Sequence, residues 1–103
     1  MAYWILATYT RTNTDTAWFS PSEEVVAKVN EYKDSGKIVH YEIKESDNQL
    51  NQYIKIGFSD VGESSNFKKD SLIKSLEAAR VSYGESNPVS WSVEDRQEVE
   101  PTI

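Results

Sequence analysis

No segment limits the possible folds more than residues 2–11, Ala-Tyr-Trp-Ile-Leu-Ala-Thr-Tyr-Thr-Arg. In an extended strand alternate side chains point to opposite faces. Tyr3, Ile5, Ala7, Tyr9 and Arg11 then share one face, and Ala2, Trp4, Leu6, Thr8 and Thr10 share the other. Both alternations begin apolar, which predicts a central strand covered on two sides. The apolar character stops at Thr12-Asn13-Thr14-Asp15-Thr16. Asn and Asp favour turns by bonding the nearby backbone, so the strand is expected to end near Arg11 and the later threonines to lie in a loop.

Ala17-Trp18-Phe19 is a short apolar patch, and Ser20-Pro21-Ser22-Glu23 behind it has the form of a capping box. Ser20 would accept from the Glu23 amide, with Pro21 at the first helical position. Val25, Val26, Val29 and Tyr32 give the following helix one apolar stripe, and Gly36 supplies its left-handed stop. Residues 37–44 alternate as a second strand, with Val39, Tyr41 and Ile43 facing the core. A polar turn at 46–49 leads to a third strand over 50–58, and the pair reads as a hairpin. Residues 59–66 are small and polar and are read as a loop. The second helix is expected over 67–83 on the stripe Leu72, Ile73, Leu76, Ala79 and Tyr83. After Asn87-Pro88, residues 89–93 alternate as a fourth strand. Glu94, Asp95, Glu98 and Glu100 mark residues 94–103 as an acidic, partly disordered tail, leaving one domain over 1–93.

The order β-α-β-β-α-β is the ferredoxin-like α+β plan: a four-stranded antiparallel sheet, strands one and three central, two helices on one face. The second sheet face is left open, and the strands hold more large aromatics than one core consumes. Such a face is a candidate interface. By this element order the chain resembles the dimeric α+β barrel group of ferredoxin-like proteins, some of which are cofactor-independent monooxygenases. The resemblance implies a homodimer paired sheet to sheet and carries no catalytic residue across. The stretch Thr10-Arg11-Thr12-Asn13-Thr14-Asp15 is also similar to part of short uncharacterised tailed-phage proteins, which would place the chain in the cytoplasm of a host cell.

Several chemistries are disfavoured from the start. There are no cysteines, so disulfides and thiolate metal sites are excluded. A single histidine, His40, cannot build a His-rich metal centre, and the four scattered glycines make no phosphate or dinucleotide loop. No metal and no cofactor are expected. A net charge of -6 opposes binding to a phosphate backbone. No run approaches the roughly 20 apolar residues of a membrane span, and the start lacks a signal-peptide pattern, so a cytoplasmic location is expected.

The reading that follows is a small non-catalytic binding or interaction protein that self-associates through its sheet. Tyr3, Tyr9, Arg11, Trp18, Phe19, Tyr53 and Trp91 are its expected contact residues, the rim Arg11–Trp18–Phe19 because Trp and Arg dominate binding hot spots. The alternative is a cofactor-free oxygenase or isomerase using His40 as base, with Tyr41 beside it, in a pocket between sheet and helices. A third reading stacks single-stranded RNA on Tyr3 or Tyr9 and Tyr53, with Lys55 alongside.

Overall fold

The first strand, β1 (Tyr3–Arg11), is paired along both edges, as its two apolar faces require. It is followed by α1 (Glu23–Asp34), β2 (Ile38–Glu45), β3 (Asn51–Phe58), α2 (Val61–Lys69), α3 (Ser71–Ser86) and β4 (Val89–Gln97). This computed structural model describes residues 2–97 and 99–103. The sheet is antiparallel throughout, in the order β2-β3-β1-β4, so the first and third strands are central. The arrangement is the ferredoxin-like α+β fold.

The helices cover the face of β1 that carries Ile5, Ala7 and Tyr9. Under them Ile5, Val25, Tyr32, Ile38, Phe58, Phe67 and Ile73 form one buried cluster. Ala7, Tyr9 and Val89 form a second, with Trp18, Phe19, Ile54, Tyr83 and Trp91 packed against it. Phe58 is completely buried, and the Phe67 ring meets it at 5.3 Å and Tyr32 at 5.1 Å.

Local signals explain most boundaries, and four expectations about the elements differ from the structure, the last being the end of the fourth strand. Helix α1 is capped by Ser22, whose hydroxyl accepts from the Val25 amide, and not by Ser20. Phe19 is held edge-on against Tyr83, with ring centroids 5.6 Å apart, so Ser20 and Pro21 are used as the connection from that contact to the helix. The helix ends as expected on Gly36, at φ +77°, where the amides of Gly36 and Lys37 bond back to Lys33 and Tyr32.

The second correction concerns residues 59–66. They belong largely to α2, with Asp60 as cap accepting from the Glu63 amide at 2.9 Å. Gly62, Ser64, Ser65 and Asn66 have poor helix propensity, but burial of Phe67 in the core overrides it. Asp70 then ends α2 and caps α3 by accepting from the Leu72 amide at 2.9 Å, so the expected single helix is two.

The third correction is in β2. Ile38 pairs with Phe58, yet His40 pairs with Gly57, so Val39 is an extra residue opposite a continuous β3. The bulge puts Ile38 in the core and leaves Val39 55% exposed, against the expectation that Val39 would be buried. Past the bulge, Tyr41 lies on the helix side and His40, Glu42 and Lys44 on the open side. β4 continues beyond Val93 to Gln97. Of the acidic residues 94–100, Glu98 lies outside the described residues.

Candidate functional site

Beneath α1, between the sheet and α3, the packing leaves a cavity of about 450 Å³. Its floor is Ala7 and Tyr9 of β1, Tyr41 and Ile43 of β2, and Gln52, Ile54 and Ile56 of β3. Val25, Val29 and Lys33 of α1 form the roof, Leu76 and Arg80 of α3 one wall, and Trp18 and Phe19 the end. Ile43 and Val26, 54% and 46% exposed, lie on the side open to solvent. The volume is within the range of small-molecule sites, roughly 300–1,000 Å³.

Three polar groups meet in this apolar surrounding. Arg80 donates from Nη1 to the Tyr9 hydroxyl at 3.2 Å, and its guanidinium lies 3.9 Å from the Trp91 ring centroid. The third is Tyr41. Burial pushes the Tyr41 hydroxyl up from its ordinary value, and the neighbouring Tyr9 pushes it further, so it stays protonated well above neutrality.

The end wall is held by Arg11. Its Nε donates to the Gln49 carbonyl at 2.8 Å and its Nη1 to the Thr16 carbonyl at 2.7 Å. Its Nη2 is 3.5 Å from Glu45, and its guanidinium stacks 4.3 Å from the Trp18 ring centroid. The Trp18 indole donates to the same Glu45 carboxylate at 2.7 Å. Asn13 folds the intervening loop by accepting from the amides of Asp15 and Thr16, as the turn preference of Asn and Asp after Arg11 predicted. On the α3 side the Tyr83 hydroxyl donates to the Ala17 carbonyl.

The cavity therefore brings together Tyr9, Trp18, Phe19 and Tyr41, with Trp91 behind Arg80 and Arg11 behind Trp18. Tyr9 and Trp91 were expected on the open face. They lie under the helices because they follow the phase of Ile5 and Val89, the residues that enter the core. Tyr3 also faces the helices, against the first cluster. Tyr53 alone of the expected contact residues lies on the open face, opposite Thr8.

His40 is on that open face too, so it and Tyr41 point to opposite sides of the sheet, and the expected His40–Tyr41 pocket does not form. Its Nε2 is 3.0 Å from Glu42 Oε1. Glu42 is in turn 3.5 Å from Lys55 Nζ. Lys55 is only 7% exposed and also donates to Glu100 at 3.0 Å and to the Pro101 carbonyl at 3.3 Å. The His40 hydrogen bond, followed by the Lys55 ammonium, holds the Glu42 carboxyl below the usual carboxylate range. Glu100 is the main reason that the Lys55 ammonium is held above its ordinary value. Residues 100–101 thus close over the middle of the open face, where Trp4 and Leu6 are buried.

Sequence reasoning missed Arg80, Lys33, Gln52 and Leu76 as members of one site. A signal for Arg80 was present: it stands between Leu76 and Tyr83 on the apolar stripe of its helix, where a charged side chain needs a reason.

Fold and site together define a small α+β protein with a cavity beneath its helices. No protein-family profile and no curated protein matches the chain. Among solved structures it is similar to protein SO0527 from Shewanella oneidensis, at a TM-score of 0.61 and 15% identity, over 97% of this chain and 93% of that one. It also aligns with Rv0793 from Mycobacterium tuberculosis at a TM-score of 0.48 and 12% identity, over 100% and 97% of the two chains. The likeness to SO0527 supports the fold.

Proposed function

We propose that this chain is a non-catalytic binding protein that holds a small, mainly apolar molecule between its sheet and helices. The observation that carries the reading is the cavity of about 450 Å³, bounded by Ala7, Val29, Ile54, Ile56 and Leu76. A largely apolar recess open to solvent along Ile43 and Val26 offers a ligand apolar area to bury, worth roughly 25 cal/mol for each Å² removed from water. The neutral fluorophore N-phenyl-1-naphthylamine tests it. Saturable one-to-one binding with enhanced emission, abolished in Leu76→Trp with the circular dichroism spectrum retained, supports the reading. Absence of saturable binding refutes it, as does binding that Leu76→Trp leaves intact.

Association of two copies through the open face is the second reading. It is favoured by Tyr53 and by the apolar centre made by Trp4 and Leu6 on that face, and it requires the 99–103 segment to yield or to be included in the interface. Sedimentation at tens of micromolar decides it: a dimer weakened by Tyr53→Glu supports the reading, and a stable monomer refutes it.

A further inference from the structure

We propose that the cavity selects an amphipathic anion, a monocarboxylate on an apolar body, with the carboxylate bound at Arg80, Tyr9 and Tyr41. The inference rests on the small-molecule reading above and adds the ligand's charge.

The sign of the lining carries it. The chain has 17 acidic and 11 basic residues, yet the charged side chains that line the cavity are Arg80 and Lys33, both cationic. Among the described residues neither is in an ion pair, although Arg11, Lys28 and Lys55 all are. The contacts made by Arg80 are to a ring and a phenol, the Trp91 face and the Tyr9 hydroxyl. These fix the guanidinium in place without neutralising it. A cation set in an apolar wall and left without a carboxylate is a receptor for one, and the guanidinium fork matches carboxylate geometry.

The hydroxyls add donors of the right kind. Tyr9 accepts from Arg80 through its oxygen, and its own O–H has no acceptor among the described residues. Tyr41, on the cavity floor, carries a second phenol O–H, which at neutral pH is a donor. A carboxylate is a pure acceptor and can take hydrogen bonds from all three groups, whereas an ammonium would be repelled by the Arg80 guanidinium and the Lys33 ammonium. Lys33, exposed in the last turn of α1 with its Nζ 5.6 Å from the Tyr41 ring centroid, adds a second positive charge at the cavity mouth.

The experiment is displacement of bound N-phenyl-1-naphthylamine at neutral pH and low salt by three ten-carbon chains: decanoate, 1-decanol and decylammonium. The expected order of potency is decanoate, then decanol, then decylammonium. Decanoate should lead decanol by roughly tenfold, about the factor of one hydrogen bond to a charged group. Arg80→Gln should reduce that lead, read as the ratio of the two potencies on the same variant, to less than about threefold. Lys33→Gln, at an exposed position, should reduce it by a smaller factor without affecting folding. Equal potency of decanoate and decanol on the wild-type protein, or a lead that survives both substitutions, overturns the charge selectivity and leaves the small-molecule reading standing. Failure of N-phenyl-1-naphthylamine to bind overturns both.

Discussion

Replacing Arg11 by lysine preserves the charge and tests whether the geometry of the guanidinium holds the end wall of the cavity. Arg11 is 8% exposed and serves three directions at once: the Gln49 carbonyl, the Thr16 carbonyl and Glu45, with Trp18 stacked on its plane. Hydrogen bonds from a charged donor contribute roughly 1.5 kcal/mol each, and two are made to carbonyls. The partly exposed ion pair adds about 0.5 kcal/mol and the stack about 0.5 kcal/mol. The sum of about 4 kcal/mol is an upper figure, because both carbonyls lie in surface loops where water replaces part of what is lost. A loss of about 2–3 kcal/mol is expected for Arg11→Met. Lysine reaches one of the three directions and keeps its charge at a buried position, so Arg11→Lys should be as costly as Arg11→Met. Urea unfolding measures both, and in a domain of this size the loss corresponds to a fall in Tm of roughly 10–20 °C. Arg11→Lys within about 0.5 kcal/mol of wild type would refute the claim that fork geometry, and not charge, fastens the loop.

Other perturbations follow from the same contacts. A Cβ at Gly57 would sit 2.7 Å from Cζ3 of Trp4, so Gly57→Ala should displace the indole, cost about 1–3 kcal/mol and shift Trp emission to longer wavelength. Unchanged emission would show that the ring is not seated over the glycine. Phe67→Ala removes the ring that joins Tyr32 to Phe58 and should cost about 3–5 kcal/mol in urea unfolding; a loss under about 1 kcal/mol would contradict its place in the core. The Glu42 carboxyl is depressed in the folded state, so its stabilisation is complete above the unfolded value of 4.5 and is lost as pH falls through the lower folded value. Urea midpoints of wild type and Glu42→Gln should therefore converge as pH drops from 6 towards 3, and a constant gap would remove Glu42 from the network.

The fold was legible because most elements carry their own local signal: two apolar phases in residues 2–11, a glycine stop after Tyr32, and clean alternation in β3 and β4. α2 was hidden because its residues are poor helix formers whose order comes from Phe67, a long-range contact that no local pattern announces. The assignment of aromatics to faces failed for a different reason. Period-two alternation gives two sets but not which set meets the helices, and in β2 a single extra residue changes the phase. Arg11, Trp18 and Phe19 were recognised as a rim, but the cavity they close depends on the spacing between α1 and α3. That spacing is a tertiary quantity with no trace in the sequence of either helix.

The bulge at Val39 also determines which changes of chain length β2 tolerates. Deleting Val39 would restore a one-to-one ladder with β3, leaving Ile38 under the helices and His40 on the opposite side. Deleting Glu42, three positions on, would turn Ile43 outward and carry Lys44 into the cavity floor. Two single-residue losses in the same strand would thus have opposite fates, and only the one at the bulge preserves the site.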